Sequence, residues 1–184
     1  RMMNKYLLNI VAVLCASLVL SNLSAQTLPV LPYLQDATPS SIRIMWESSF
    51  GTESTVEWGL DENLGNTVTG ISFPGMGGSV MHDVQITGLE RFTTYYYLVT
   101  TGAATSATHK FKTPPFSSDN EDFRFVAMSD MQRSYADPQI YDEIIHDGIL
   151  DYLMENASGD PSNDLALVLI PGDLVDHGNT YSQW

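Results

Sequence analysis

The hydrophobic pattern of this chain changes its period once, at Thr113-Pro114-Pro115, and that change separates two kinds of fold. Before it, short stretches alternate polar and apolar residues, as in Ser41-Ile42-Arg43-Ile44-Met45-Trp46 and Ser54-Thr55-Val56-Glu57-Trp58. Such a period of two belongs to strands with one face buried. His82 to Ile86, Tyr95 to Thr100 and Thr108 to Lys112 continue the pattern, with turn residues at Thr38-Pro39-Ser40, Asp61-Glu62-Asn63 and Pro74 to Gly78 between them. Several short strands with regular turns predict an all-β sandwich over 26–113. The two prolines stop strand pairing, and 114–121 reads as a polar linker.

Beyond the linker the pattern becomes β-α-β. Phe123 to Met128 and Leu165 to Ile170 are short apolar runs of the kind that forms buried strands. Asp137-Pro138 supplies a capping carboxylate and a proline at the first helical position. Ile140, Ile144, Ile145, Ile149, Tyr152 and Leu153 then recur at helical spacing, and Gly148 weakens the helix without ending it. Asn156 to Asp164 reads as a polar loop. Each apolar run exits into an aspartate, Asp130 in one case and Asp173 in the other. Strands adjacent in a β-α-β unit end on the same side, so both carboxylates are expected at one edge.

The 184 residues carry 22 acidic and 8 basic side chains, a formal charge of -14, and the basic ones are scattered. A chain so charged repels nucleic-acid backbones and anionic lipid surfaces, which excludes nucleic-acid binding by plain electrostatics. Arg1 and Lys5 precede the apolar run Tyr6 to Leu20, and Ser21 to Ala25 offers small residues for cleavage. This is the layout of a signal peptide over 1–25. The run is shorter than the roughly 20 residues a membrane-spanning helix needs, so no stable span is expected after cleavage. Cys15, the only cysteine, lies inside it, and the exported protein would have no disulfide. A secreted, periplasmic or cell-surface location follows. The start at Arg1, in place of Met, suggests a fragment or a misplaced start, and the end at Trp184, soon after the second aspartate, reads as a C-terminal truncation.

Leu89-Glu90-Arg91-Phe92-Thr93-Thr94-Tyr95 resembles the Leu-x-Pro-x-Thr-x-Tyr pattern of fibronectin type III-like domains. The resemblance makes Leu89 and Tyr95 structural residues, with the tyrosine hydroxyl bonded to backbone a few residues upstream. Arg91-Phe92 stands where Pro-Gly is usual.

Ser129-Asp130-Met131-Gln132 and Gly172-Asp173-Leu174-Val175-Asp176-His177-Gly178, after such a sandwich, resemble the calcineurin-like metallophosphoesterases, above all the purple acid phosphatase branch with its N-terminal β domain. The resemblance spans about residues 28 to 184. It implies that 122–184 begins a metallophosphoesterase domain, and that the intact parent is a metal-dependent phosphoric ester hydrolase of acid phosphatase type. Its substrate would be a phosphate ester, attacked by metal-bound hydroxide at a pair of divalent or trivalent ions (Fe, Zn or Mn). Asp130 and Gln132 would bind the first metal, and Asp173 would bridge the two. Asp176 and His177 would support the site or touch phosphate.

Gln132 occupies the place of a family histidine, and its amide is a poorer ligand for zinc or iron than imidazole. Asp176 occupies the place of the purple branch's tyrosine, which predicts a colourless protein. The family's Gly-Asn-His motif is not in this sequence. On the resemblance it would lie beyond Trp184, leaving this fragment inactive and its second sheet uncovered on one face. Analogy with the family also puts the β domain against the catalytic rim. The competing reading is a surface binding or adhesion module whose phosphoesterase-like part has decayed, and the missing histidine favours it.

Overall fold

The computed structural model describes residues 25–131 and 139–180. The expected signal segment falls almost wholly outside these residues, as do Gln132 and the Asp137-Pro138 helix start. Among the described residues no helix is long and apolar enough to cross a membrane.

Residues 30–113 fold as two antiparallel sheets. The first has the order β1 (Val30–Thr38), β2 (Ser41–Ser48), β6 (Val80–Thr87), β5 (Ile71–Pro74). The second joins β4 (Asn66–Thr69), β3 (Thr55–Gly59), β7 (Thr94–Thr101) and β8 (Ala104–Thr105), with β9 (His109–Lys112) also paired to β7. This is the layout of immunoglobulin- and fibronectin-type sandwiches. Alternation decides which side chains go inside. In β2, Ile42, Ile44, Trp46 and Ser48 are buried and the residues between them are not; in β7 the buried set is Tyr95, Tyr97, Val99 and Thr101. Val56, Val84, Ile86, Leu89 and Phe111 complete the core between the sheets. The strand β1 has no such alternation in the sequence because it is an edge strand with no buried residue.

The turn before β7 is held by side chains. Glu90 donates its N–H to the Tyr95 hydroxyl at 2.9 Å, and Leu89 is buried beside it. Thr113 Oγ1 donates to the Glu90 carbonyl at 2.7 Å and accepts the Thr93 N–H at 2.9 Å. Phe92, where the fibronectin pattern has glycine, takes a left-handed backbone with φ of 52°. A side chain there is strained, and the Lys112 ammonium lying 3.5 Å over the Phe92 ring offsets part of that cost. Tyr95→Phe leaves the Glu90 N–H without its acceptor, so denaturant titration should show a loss of about 1–2 kcal/mol. An unchanged midpoint would deny the hydroxyl its role.

After the linker, β10 (Arg124–Ala127) pairs in parallel with β11 (Leu165–Leu169), through a helical crossover. The crossover runs as α-helix Ile140–Glu143, π-helix Ile144–Leu150 and α-helix Asp151–Asn156. Backbone angles stay helical at both junctions, and Gly148 sits in the wider π segment without ending the helix. Its spine is Ile145, Ile149 and Leu153, of which Leu153 is fully enclosed; Ile140, Ile144 and Tyr152 are exposed.

Two expectations need correction here. The second sheet, expected to be uncovered on one face, is open on both: Phe123 and Phe125 are 64% and 54% exposed, and Leu167 to Ile170 are exposed too. Two strands and one helix cannot enclose both faces of a sheet, however apolar the strands are. The Asn156 to Asp164 stretch is also not all loop, because Pro161–Asp164 is a short helix. Asp160 caps it by accepting the Ser162 N–H at 3.1 Å, with Pro161 at the first helical position. The same Asp-Pro signal that marks 137–138 was present at 160–161.

Candidate functional site

Parallel pairing brings the exits of β10 and β11 to one rim, and hydrogen bonds tie the two exit loops together. The ladder ends with Met128 N–H donating to the Leu169 carbonyl at 3.0 Å. Beyond it, Met131 N–H donates to the Asp173 carbonyl at 3.0 Å, and Ser129 Oγ donates to the Gly172 carbonyl at 3.2 Å. Residues 129–131 and 172–173 therefore lie side by side. Sequence reasoning passed over Ser129, although its place beside Asp130 was a usable signal.

The two aspartates share one unusual feature. Asp130 has φ of 58° and Asp173 has φ of 53°. Left-handed backbone is uncommon outside glycine, and aspartate tolerates it better than most residues. Two such residues at matched strand ends give both exit loops the same left-handed step. Residues in sparsely populated backbone regions concentrate at functional sites. Gly172 precedes the second aspartate at φ of 156°, and a Cβ there would meet no atom within 4 Å. Its role in the described structure is conformational, since no atom lies where a side chain would stand.

Asp130 and Asp173 are exposed, and so are Asp176 and His177 farther along the second loop. The 177–180 turn is closed by Thr180 N–H donating to the His177 carbonyl at 2.9 Å. Gln132 lies outside the described residues. Two carboxylates at one rim suit hard cations in kind. In number they fall short, since no cluster of three or more His, Cys, Asp or Glu able to hold a metal forms among the described residues.

Among the described residues, no hydrogen bond or ion pair joins the sandwich to this rim. The sandwich's contacts with the second unit fall at the opposite end of β11, where Lys110 Nζ pairs with Asp160 and Thr94 Oγ1 meets Asn163 Oδ1 at 3.4 Å. Hydrogen bonds from Lys110 and then Ser162 hold the Asp160 carboxyl below its ordinary value. A groove of about 390 Å³ beside them is lined by Leu34, Ile42, Phe111, Leu165 and Leu167. The family analogy that puts the β domain at the catalytic rim finds no such bond among the described residues.

The family model of the purple acid phosphatase N-terminal domain matches residues 30–113, the whole sandwich from β1 to the end of the Thr113 turn. Residues 30–113 are similar to a purple acid phosphatase N-terminal domain. No curated protein sequence matches the chain. The solved structure of PhoD is 20% identical, with a TM-score of 0.54 over 84% of this chain and 29% of PhoD. That coverage exceeds what the sandwich alone supplies, so the shared fold includes part of the β-α-β unit; the chain spans less than a third of PhoD's length. The sensor domain of the anti-sigma factor RsgI4 of Pseudobacteroides cellulosolvens, in its longer form, is 18% identical over 53% of this chain and 99% of that domain, with a TM-score of 0.40. The likeness of the sandwich to the purple acid phosphatase N-terminal domain supports a phosphoesterase-family origin for the chain.

Proposed function

We propose that the chain carries the first two ligand loops of an exported, dinuclear-metal phosphoesterase that cleaves phosphate monoesters or diesters. The observation that supports this reading is the pairing of Asp130 and Asp173 at one rim, each with left-handed backbone, on loops bonded to each other. In the proposal Asp130 and Gln132 hold one cation, Asp173 bridges to the second, and residues outside those described complete the set. Asp176 and His177 orient the second loop or meet the phosphate. Bound cations would supply Lewis-acid polarisation of the phosphoryl group. The chain's own part is to hold the two carboxylates at fixed separation, and the Ser129 and Met131 hydrogen bonds serve that end.

A second reading, a surface binding module with a decayed phosphoesterase-like part, is favoured by Gln132 standing where the family has a histidine. Metal content separates the two. The intact protein, exposed to Fe, Zn or Mn and freed of excess ions, should retain about two metals per chain by elemental analysis if the phosphoesterase reading holds. No retained metal would overturn that reading in favour of the module.

A further inference from the structure

One fully enclosed titratable group lies far in sequence from the two aspartate loops. His82, on β6, has no exposed surface and sits between the two sheets of the sandwich. Its ring stacks on Trp46 with centroids 4.8 Å apart and planes within 11°. Nδ1 lies 2.8 Å from Ser54 Oγ, while Nε2 lies 2.8 Å from Ser48 Oγ and 3.4 Å from Thr101 Oγ1.

Both serines face a carbonyl, and the shorter contact, at Ser54, favours one placement of the protons. Ser54 Oγ is 2.9 Å from the Ile71 carbonyl, which can only accept, so the single serine proton points there. With its proton there, Ser54 accepts from the ring, which favours Nδ1 as the protonated nitrogen of neutral His82. Nε2 is left as the acceptor, and Ser48 supplies its hydroxyl proton. Thr101 Oγ1 already accepts the Trp46 Nε1–H at 2.9 Å.

Ser48 Oγ also lies 3.1 Å from the Phe50 carbonyl. Rotation of one hydroxyl therefore turns Ser48 from donor to acceptor at Nε2 without moving a heavy atom. We propose that His82 is a pH-responsive pin between the sheets. It is neutral as the Nδ1–H tautomer and takes a second proton at Nε2 when the Ser48 hydroxyl swings to Phe50. The carboxylate of Glu53, on the β2–β3 connection, favours the cation, while burial opposes it more strongly and holds the imidazole below its ordinary 6.5. The other groups against the ring (Trp46, Ser48, Ser54 and Thr101) carry no charge. A histidine with a lowered folded pKa contributes its full stability above 6.5 and loses it as the pH falls from there through the folded value. Acid thus loosens the pin that joins β6 to Ser54 and Thr101.

The test uses the full chain with isotope-labelled histidine. Ring nitrogen shifts at neutral pH should show a protonated Nδ1 and an unprotonated Nε2 for His82, with a titration midpoint below 6.5. Ser48→Ala should lower that midpoint further, because the cation loses its close acceptor. His82→Phe keeps the stack on Trp46, and both serines keep carbonyl acceptors. It should flatten the fall in urea midpoint that the unaltered protein shows below pH 6.5. An Nε2–H tautomer, a midpoint at or above 6.5, or an equal acid loss in His82→Phe would each overturn the proposal. Should that variant not fold, the ring shifts and Ser48→Ala still decide.

Discussion

Exchange of Asp173 for asparagine is expected to abolish phosphate release from a generic aryl phosphate in the intact protein and to weaken metal retention by more than about 100-fold. Groups that merely support a metal ligand cost about 10- to 100-fold when removed, and a carboxylate that bridges two cations should cost more. Asparagine keeps the size of the side chain and tolerates the left-handed backbone at this position, so the loop's shape should survive. What it removes is the negative charge and one of two equivalent oxygens. Asp176→Asn is the comparator: it lies on the same loop, and a supporting role predicts a loss within the smaller range. Turnover and metal content unchanged in Asp173→Asn would take that residue out of the site and leave the rim's convergence without a function.

The second large effect concerns folding. Trp46→Ala should cost about 3–5 kcal/mol, the range for truncating a buried large aromatic. Trp46 is fully enclosed, stacks on His82 and donates its Nε1–H to Thr101 Oγ1 on the opposite sheet. Truncation therefore opens a cavity, removes the ring against which the imidazole is held, and strips a cross-sheet bond. Domains are stable by about 5–15 kcal/mol in all, so the variant should be largely unfolded under mild denaturant. Urea titration followed by circular dichroism reads the change. A loss below about 1 kcal/mol would mean that the two sheets are joined elsewhere.

The site and the core were legible to different depths. The alternation in β2 and β7 reports directly which side chains are buried, because side chains on a strand alternate between faces. Two apolar runs around a helical segment likewise foretell parallel strands, and parallel strands end at one rim. Hence Asp130 and Asp173 could be paired from sequence. One uncovered face of the second sheet was foreseen, but not that adjacent Leu167 and Val168 are both exposed, because apolar composition states a preference for burial and cannot say whether a covering element is present. The short helix at Pro161 escaped notice because its one turn shows no periodicity, although its Asp-Pro start was written out.

From the sequence alone come the sandwich, the linker at the two prolines, the β-α-β order and the two aspartates at strand exits, since each depends on local pattern and turn chemistry. Only the tertiary structure decided that the sandwich is bonded at the far end of β11 and not, among the described residues, at the aspartate rim. It alone set the matching left-handed backbone of Asp130 and Asp173, and the enclosure of His82 between Ser48 and Ser54. Those features depend on atoms distant in the chain meeting across sheets, and no local pattern encodes which distant hydroxyl or carbonyl a side chain will find.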